Sequence, residues 1–206
     1  MVEWSIEAMR ATPSVRSIVV ACPPGHVHDL GGRDLGVVDG GATRAESVAN
    51  ALAAVGTELV AIHDAARPLV TPELIEGVVA TLAADPDADG AIAASPVTDT
   101  IKRTAGGLLN DSPHGSGEKA AIEVVETVDR GRLWAAQTPQ VFRVEALLRA
   151  LEADPTRGEA ATDEAMLIEA AGGRVLIHPS PPGNLKVTAP FDLRLAEVLL
   201  AERGSG

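Results

Sequence analysis

Three apolar runs, each followed by a turn and separated by helix-length stretches, constrain this chain more than any other feature. They are Ser17-Ile18-Val19-Val20-Ala21-Cys22, closed by Pro23-Pro24-Gly25; Glu58-Leu59-Val60-Ala61-Ile62, running into His63-Asp64; and Gly90-Ala91-Ile92-Ala93-Ala94-Ser95. Such runs read as buried strands, and Leu35-Gly36-Val37-Val38 adds a shorter one. Gly40-Gly41 then breaks the chain, and a helix follows in which Thr43 can cap and Glu46 stands at capping-box spacing. Thr71-Pro72-Glu73-Leu74 opens another helix, with Pro72 at the first-turn position where a missing N–H costs nothing. Strand alternating with helix predicts an α/β fold, a mostly parallel sheet flanked by helices.

Residues 98–134 break this rhythm. Thr98 to Arg103 and Ile122 to Val128 are extended, polar-alternating pieces around a tip at Asn110 to Gly117, which predicts a two-stranded arm needing a surface to pack on. Beyond Thr138-Pro139-Gln140 the pattern predicts a helix from about 144, another from Thr162 to about Ala171, a strand at Val175 to Ile177 and a last helix from about Pro190. Near the start, Trp4, Ile6, Met9 and the neighbouring Ala8 lie at helix-like spacing with no cap or strand before them. With 206 residues, the reading is one domain over 1–206 with the arm at 98–134 as a subregion.

Aromatic residues are only 2% of the chain, so the core must come from Ala, Val, Leu and Ile. A formal charge of -12 argues against a nucleic-acid surface, and any anionic substrate must meet a local cationic pocket. The single cysteine, Cys22, leaves no intrachain disulfide and suits a reducing compartment. No secretion signal or membrane-length apolar run is present, which predicts a cytoplasmic protein.

Ligands of open parallel sheets collect at the carboxyl ends of strands. Gly40-Gly41 stands at such a place with Arg44 and Ser47 after it, although glycines before a helix are more often a plain turn. Asp64 and Arg67 follow a strand, where an Asp cap and a surface Arg are the ordinary alternative. His63-Asp64 suggests a metal pair, yet His26, His28, His114 and His178 show no ligand spacing. Thr138 and Thr162 stand at loop-to-helix junctions and could be N-caps. Lys186 in an apolar extended piece is ordinarily a snorkelling edge residue. The Asp85-Pro86-Asp87-Ala88-Asp89 segment has the spacing of a glycosyltransferase metal pair, but it ends a helix and reads as a turn.

In combination these pieces are far more specific. Gly-Gly-x-x-Arg-x-x-Ser-Val at 40–48, His-Asp-Ala-Ala-Arg-Pro at 63–68, Asp-Thr-Ile-Lys at 99–102, Leu-Trp-x-x-Gln-Thr-Pro-Gln at 133–140, Thr-Asp-Glu at 162–164 and Asn-Leu-Lys-Val-Thr at 184–188 occur in one order. The chain thereby resembles the methylerythritol phosphate cytidylyltransferases of the non-mevalonate isoprenoid pathway, across nearly its whole length. The resemblance implies a Rossmann-like nucleotidyltransferase fold and transfer of CMP from CTP to 2-C-methyl-D-erythritol 4-phosphate, with Mg²⁺ on the nucleotide. It implies that Gly41, Ala42 and Ser47 contact cytosine, that Asp64 lies beside the nucleotide and metal, and that Arg67 supports that loop. Arg130 and Lys186 would be the catalytic cations that hold the methylerythritol phosphate, with Thr138 and Thr162 donating hydrogen bonds. Thr100 and Arg130 would belong to an arm reaching across a homodimer. Convergence of Arg67, Arg130 and Lys186 is the geometric expectation.

The family also begins with a strand and a glycine-rich loop of the Pro-Ala-Ala-Gly-x-Gly-x-Arg type, which wraps the triphosphate. Nothing of that type precedes Trp4 in this sequence, so the resemblance implies a missing first strand, an N-terminally truncated chain and low turnover. A ribitol 5-phosphate cytidylyltransferase is the alternative within the class. A non-catalytic dimerisation or sugar-phosphate-binding homologue is the alternative outside it.

Overall fold

A computed structural model of the protein describes residues 1–26, 30, 35–105, 122–153 and 161–203. The chain divides into two compact units, Met1–Ala94 with Ala136–Gly206, and Ser95–Ala135. In the larger unit α1 (Val2–Ala11) leads to β1 (Val19–Cys22), then β2 (Gly36–Asp39), α2 (Arg44–Leu52), β3 (Leu59–Ile62) and α3 (Pro72–Ala83). After β4 (Gly90–Pro96) the chain passes through the second unit and returns along β7 (Trp134–Arg143). It continues with α4 (Val144–Ala153), α5 (Glu164–Ala170), β8 (Val175–Pro179) and α6 (Pro190–Arg203).

The helix starts follow from side-chain chemistry. Thr43 caps α2 through Glu46 N–H while the Glu46 carboxylate returns to the Thr43 N–H, so two otherwise orphaned donors are satisfied. Thr71 caps α3 in front of Pro72. In α1 the buried stripe is Ser5, Ile6, Ala8 and Met9, whereas Trp4 is 47% exposed. Trp4 therefore departs from the apolar set expected from its spacing, lying at the margin of the buried face rather than within it.

The strands form two sheets in this unit. β1 and β2 pair in parallel, Val19 opposite Gly36 and Cys22 opposite Asp39. A four-stranded sheet has the order β3-β7-β4-β8, with β4 and β8 parallel but β3 and β7 antiparallel. β7 is the element that sequence patterning missed. Pro139 and the polar residues around it look like a loop before a helix, yet Thr138 to Phe142 are buried within the strand. Thr138 is consequently a strand residue rather than a cap at a loop-to-helix junction.

The four-stranded sheet buries both faces. Ala91, Ala93 and Val141 pack with Met9, Leu74, Ile75 and Val78 on one side. Ile92 and Phe142 pack with Leu147, Leu167 and Ile168 on the other. Side chains that alternate along a strand thus serve opposite layers, which is why the buried part of β4, Gly90 to Ala94, carries no polar side chain. The Asp85–Asp89 turn is held by Arg174, whose guanidinium takes both Asp85 oxygens at 3.0 and 2.7 Å and whose N–H donates to Asp89. These carboxylates stitch a turn.

In the second unit β5 (Lys102–Thr104) and β6 (Val124–Thr127) pair antiparallel, supported by an Arg103–Glu126 ion pair at 2.8 Å. A 3₁₀ turn at Arg130–Arg132 follows. The tip at 110–117 lies outside the described residues. Among the described residues no helix is long and apolar enough to cross a membrane.

Candidate functional site

β3 ends at Ile62, and the segment after it carries the chemistry. The Asp64 carboxylate receives Lys186 Nζ at 2.9 Å on one oxygen and faces Arg44 Nε at 3.6 Å on the other. Arg44 in turn bonds Glu164, whose side chain is only 3% exposed. Burial alone would push the Asp64 carboxyl up, but the hydrogen bond and charge of Lys186, then Arg44 and Arg67, outweigh it and hold it below the ordinary carboxylate value. Burial likewise works against the Arg44 charge, and Glu164 and Asp64 reverse that, so its pKa is raised.

The loop is clamped from both sides. Arg67 is buried and donates to the Asn184 carbonyl at 2.9 Å, while the Val187 N–H donates to the Ala66 carbonyl at 2.8 Å. These bonds tie the 63–68 loop to the extended piece that carries Lys186. Asn184 is also buried, and its amide donates to Gln137 and to the Thr138 carbonyl, each at 2.9 Å. Burial lowers the Arg67 pKa and the Asp64 charge partly restores it.

Thr138 and His63 close the arrangement. The Asp64 N–H donates to Thr138 Oγ1 at 3.0 Å, and the same oxygen lies 3.0 Å from His63 Nδ1. A hydroxyl already accepting from Asp64 can donate its own proton to Nδ1. That assignment leaves Nε2 protonated and donating to the Arg67 carbonyl at 3.1 Å. Burial pushes the His63 pKa down to about 4, so the neutral ring matches this network. His63 is thus a tether inside the loop, and among the described residues no three metal-binding side chains gather anywhere.

At the start of α2, the Gly41 N–H donates to Ser47 Oγ at 3.0 Å and the Ala42 N–H to Glu46 at 2.6 Å, while Ser47 Oγ donates to the Thr43 carbonyl at 2.9 Å. A Cβ on Gly41 would meet Glu46 Cβ at 2.1 Å, so glycine is required by close packing. Thr162 is exposed ahead of α5, and the N-cap there is Asp163, which accepts from Met166 N–H and from Gln140. Thr100 and Arg130 belong to the second unit, where Thr100 is exposed and the Arg130 guanidinium donates to the Thr98 carbonyl.

Of the residues singled out from sequence, Asp64, Arg67, Thr138 and Lys186 come together. Gly41, Ala42 and Ser47 sit on the turn leading into the helix that carries Arg44. Sequence reasoning missed the buried Glu164 and the bond it makes to Arg44, although both residues stand inside quoted motifs. Their separation of 120 positions gives no local signal.

The sequence profile of the family described as IspD: 2-C-methyl-D-erythritol 4-phosphate cytidylyltransferase matches residues 1–202. The chain is 43% identical over 202 residues to a bifunctional enzyme IspD/IspF of Anaeromyxobacter sp. (strain Fw109-5), covering 94% of this chain and 48% of that protein. It is 44% identical over 168 residues to a 2-C-methyl-D-erythritol 4-phosphate cytidylyltransferase of Symbiobacterium thermophilum, covering 81% of this chain and 64% of that one. It therefore spans about half the length of the first relative and under two thirds of the second. Its fold is similar to the crystal structure of 2-C-methyl-D-erythritol 4-phosphate cytidylyltransferase from Thermus thermophilus, with a TM-score of 0.78, 32% identity, and coverage of 97% of this chain and 88% of that one. With the family profile matched along nearly the entire chain, this protein belongs to the IspD family of methylerythritol phosphate cytidylyltransferases.

Proposed function

We propose that this chain transfers CMP from CTP to 2-C-methyl-D-erythritol 4-phosphate. A phosphate oxygen of the methylerythritol phosphate attacks the α-phosphorus of CTP. The bond from that phosphorus to the bridging oxygen breaks, and pyrophosphate leaves with the electron pair. The observation that carries the reading is the Asp64 carboxylate held between Lys186 and Arg44 at the end of β3, beside the anchored Arg67. Two anions must approach one another, so oriented cations have to be in place before any bond changes.

Lys186 is 45% exposed on a flexible stem and can swing from Asp64 to an arriving phosphate. Arg67 is fixed by Asn184 and holds the loop. The N–H groups of Gly41 and Ala42 are spent on Ser47 and Glu46, which leaves carbonyl oxygens for the donor amine of cytosine. Ser47 retains acceptor capacity for the base. One carboxylate at Asp64 suits Mg²⁺, which typically takes one or two carboxylates with substrate phosphates and water. Bound there, Mg²⁺ would neutralise phosphate charge. Thr162, Thr138, Thr100 and Arg130 are assigned to the methylerythritol phosphate, the last two through the arm of a second copy in a cytoplasmic homodimer.

Pyrophosphate release from CTP and Mg²⁺ tests the reading, with methylerythritol phosphate or ribitol 5-phosphate as acceptor. Turnover with methylerythritol phosphate, lost in Lys186→Ala, is expected. A folded but inactive protein overturns the reading and favours a non-catalytic sugar-phosphate-binding homologue. Preference for ribitol 5-phosphate would reassign the acceptor.

A further inference from the structure

Arg44 is the first residue of α2 and Glu164 the first residue of α5, and their side chains meet beside Asp64. Caps fix both helix starts. The Thr43–Glu46 box holds that of α2, and Asp163 holds that of α5 by accepting from the Met166 N–H and from the buried Gln140. The Arg44 guanidinium spans the space between the two carboxylates unevenly. One of its terminal nitrogens bonds Glu164 Oε1 at 2.5 Å, whereas Nε stands 3.6 Å from Asp64 Oδ1, beyond hydrogen-bond length. Lys186 is bound to the other Asp64 oxygen, Oδ2. Among the described residues, Oδ1 thus has a cation beside it and no side-chain hydrogen bond. The Glu164 side chain is 3% exposed, its Oε2 has no partner, and Arg44 is its one ion-pair partner among the described residues. A carboxylate so placed holds its counter-charge firmly, while Asp64, which also has Lys186, is the weaker competitor for the same guanidinium.

We propose that Glu164 is a positioning residue that holds Arg44 short of Asp64 and thereby keeps Asp64 Oδ1 open to the cation that accompanies the nucleotide. The role of that cation rests on the cytidylyl-transfer reading, whereas the restraint on Arg44 stands on the geometry of the three side chains alone. Without the Glu164 charge, the guanidinium moves the remaining distance onto Asp64 and makes a charge-assisted hydrogen bond that an arriving metal must displace. Glu164 therefore favours metal binding without touching the metal. An ion pair that only joined α2 to α5 would have no such consequence.

Glu164→Gln, close to isosteric, tests this by two measurements on the folded protein. The first is NMR of the Arg44 Nε–H without nucleotide. In the parent this signal is expected to be indifferent to Asp64→Asn; in Glu164→Gln it is expected to shift and to exchange more slowly with water, and adding Asp64→Asn removes both effects. The second is binding of Mn²⁺·CTP, read by water-proton relaxation. It is expected to weaken about ten-fold or more in Glu164→Gln, to recover in the double variant with Arg44→Met, and to leave the affinity for metal-free CTP unchanged. Glu164→Asp, which keeps the charge and shortens the reach, is expected to act in the same direction to a smaller extent. An unmoved Arg44 signal, or Mn²⁺·CTP binding equal to the parent's, overturns the proposal. Equal weakening for metal-free CTP overturns it in favour of a structural ion pair. A parent that binds no Mn²⁺·CTP overturns the transfer reading and the metal half of the proposal, and the Arg44 signal still decides the restraint.

Discussion

Acidification from about pH 7.5 to about pH 5 is expected to remove about 2 kcal/mol of stability through His63 alone. The ring is half-buried, hydrogen-bonded as the neutral form between Thr138 and the Arg67 carbonyl, and its desolvation lowers its pKa from 6.5 to about 4. Below pH 6.5 the unfolded chain takes up a proton that the folded chain refuses until about pH 4. The stability attached to the neutral ring is therefore complete above 6.5 and is lost progressively as pH falls towards 4. The difference of 2.5 between 6.5 and 4 corresponds to about 3 kcal/mol over the full window, and to about 2 kcal/mol by pH 5. Asp64 contributes nothing to this window, since its lowered pKa places its titration below the ordinary carboxylate value. Urea unfolding at steps of pH, for the parent and for His63→Gln, isolates the effect because every other titrating group cancels in the difference. The parent curve should fall by about 2 kcal/mol relative to the variant. Parallel curves would refute both the neutral tautomer and the tether built on it.

Arg44→Met should destabilise the fold by about 3 kcal/mol in the same unfolding assay, because it leaves the buried Glu164 charge uncompensated, and the double variant with Glu164→Gln should recover much of the loss. Lys186→Met should move the Asp64 carboxyl upward, as it loses its nearest hydrogen-bonding cation while its burial remains; ¹³C titration of the side chain reads this directly. Gly41→Ala should cost about 1–3 kcal/mol, since the added methyl meets Glu46 within the capping box, with calorimetric melting as the check.

The parts of the fold that were legible in sequence share a local cause. Thr43 and Glu46 announce α2 because a capping box needs only four consecutive residues, and β4 announces itself because both of its faces are buried. β7 did not, since the preference of Pro139 for edges and turns was overridden by burial of Thr138 to Phe142. The site divides in the same way. Asp64 and Arg67 stand in one loop and could be paired from their spacing, whereas the Arg44–Glu164 bond joins α2 to α5 and exists only once the sheet is assembled. His63 was weighed as half of a metal pair, and only its ring contacts reveal a tether within the loop.

Charge gives these contacts a functional order. In a chain of net charge -12, Arg44, Arg67 and Lys186 meet Asp64 and Glu164 around one loop. Glu164 is buried and committed to Arg44, so exchanging that partner would strand a charge out of water. Arg67 is buried and committed to a backbone carbonyl, so it cannot follow a moving ligand. Lys186 is 45% exposed and Asp64 18%, so Lys186 is the cation with room to move, and its departure costs Asp64 the contact that most holds its carboxyl down. In the reaction proposed for this site, an arriving phosphate would therefore take Lys186 first, while Arg44 and Arg67 keep the loop where it was.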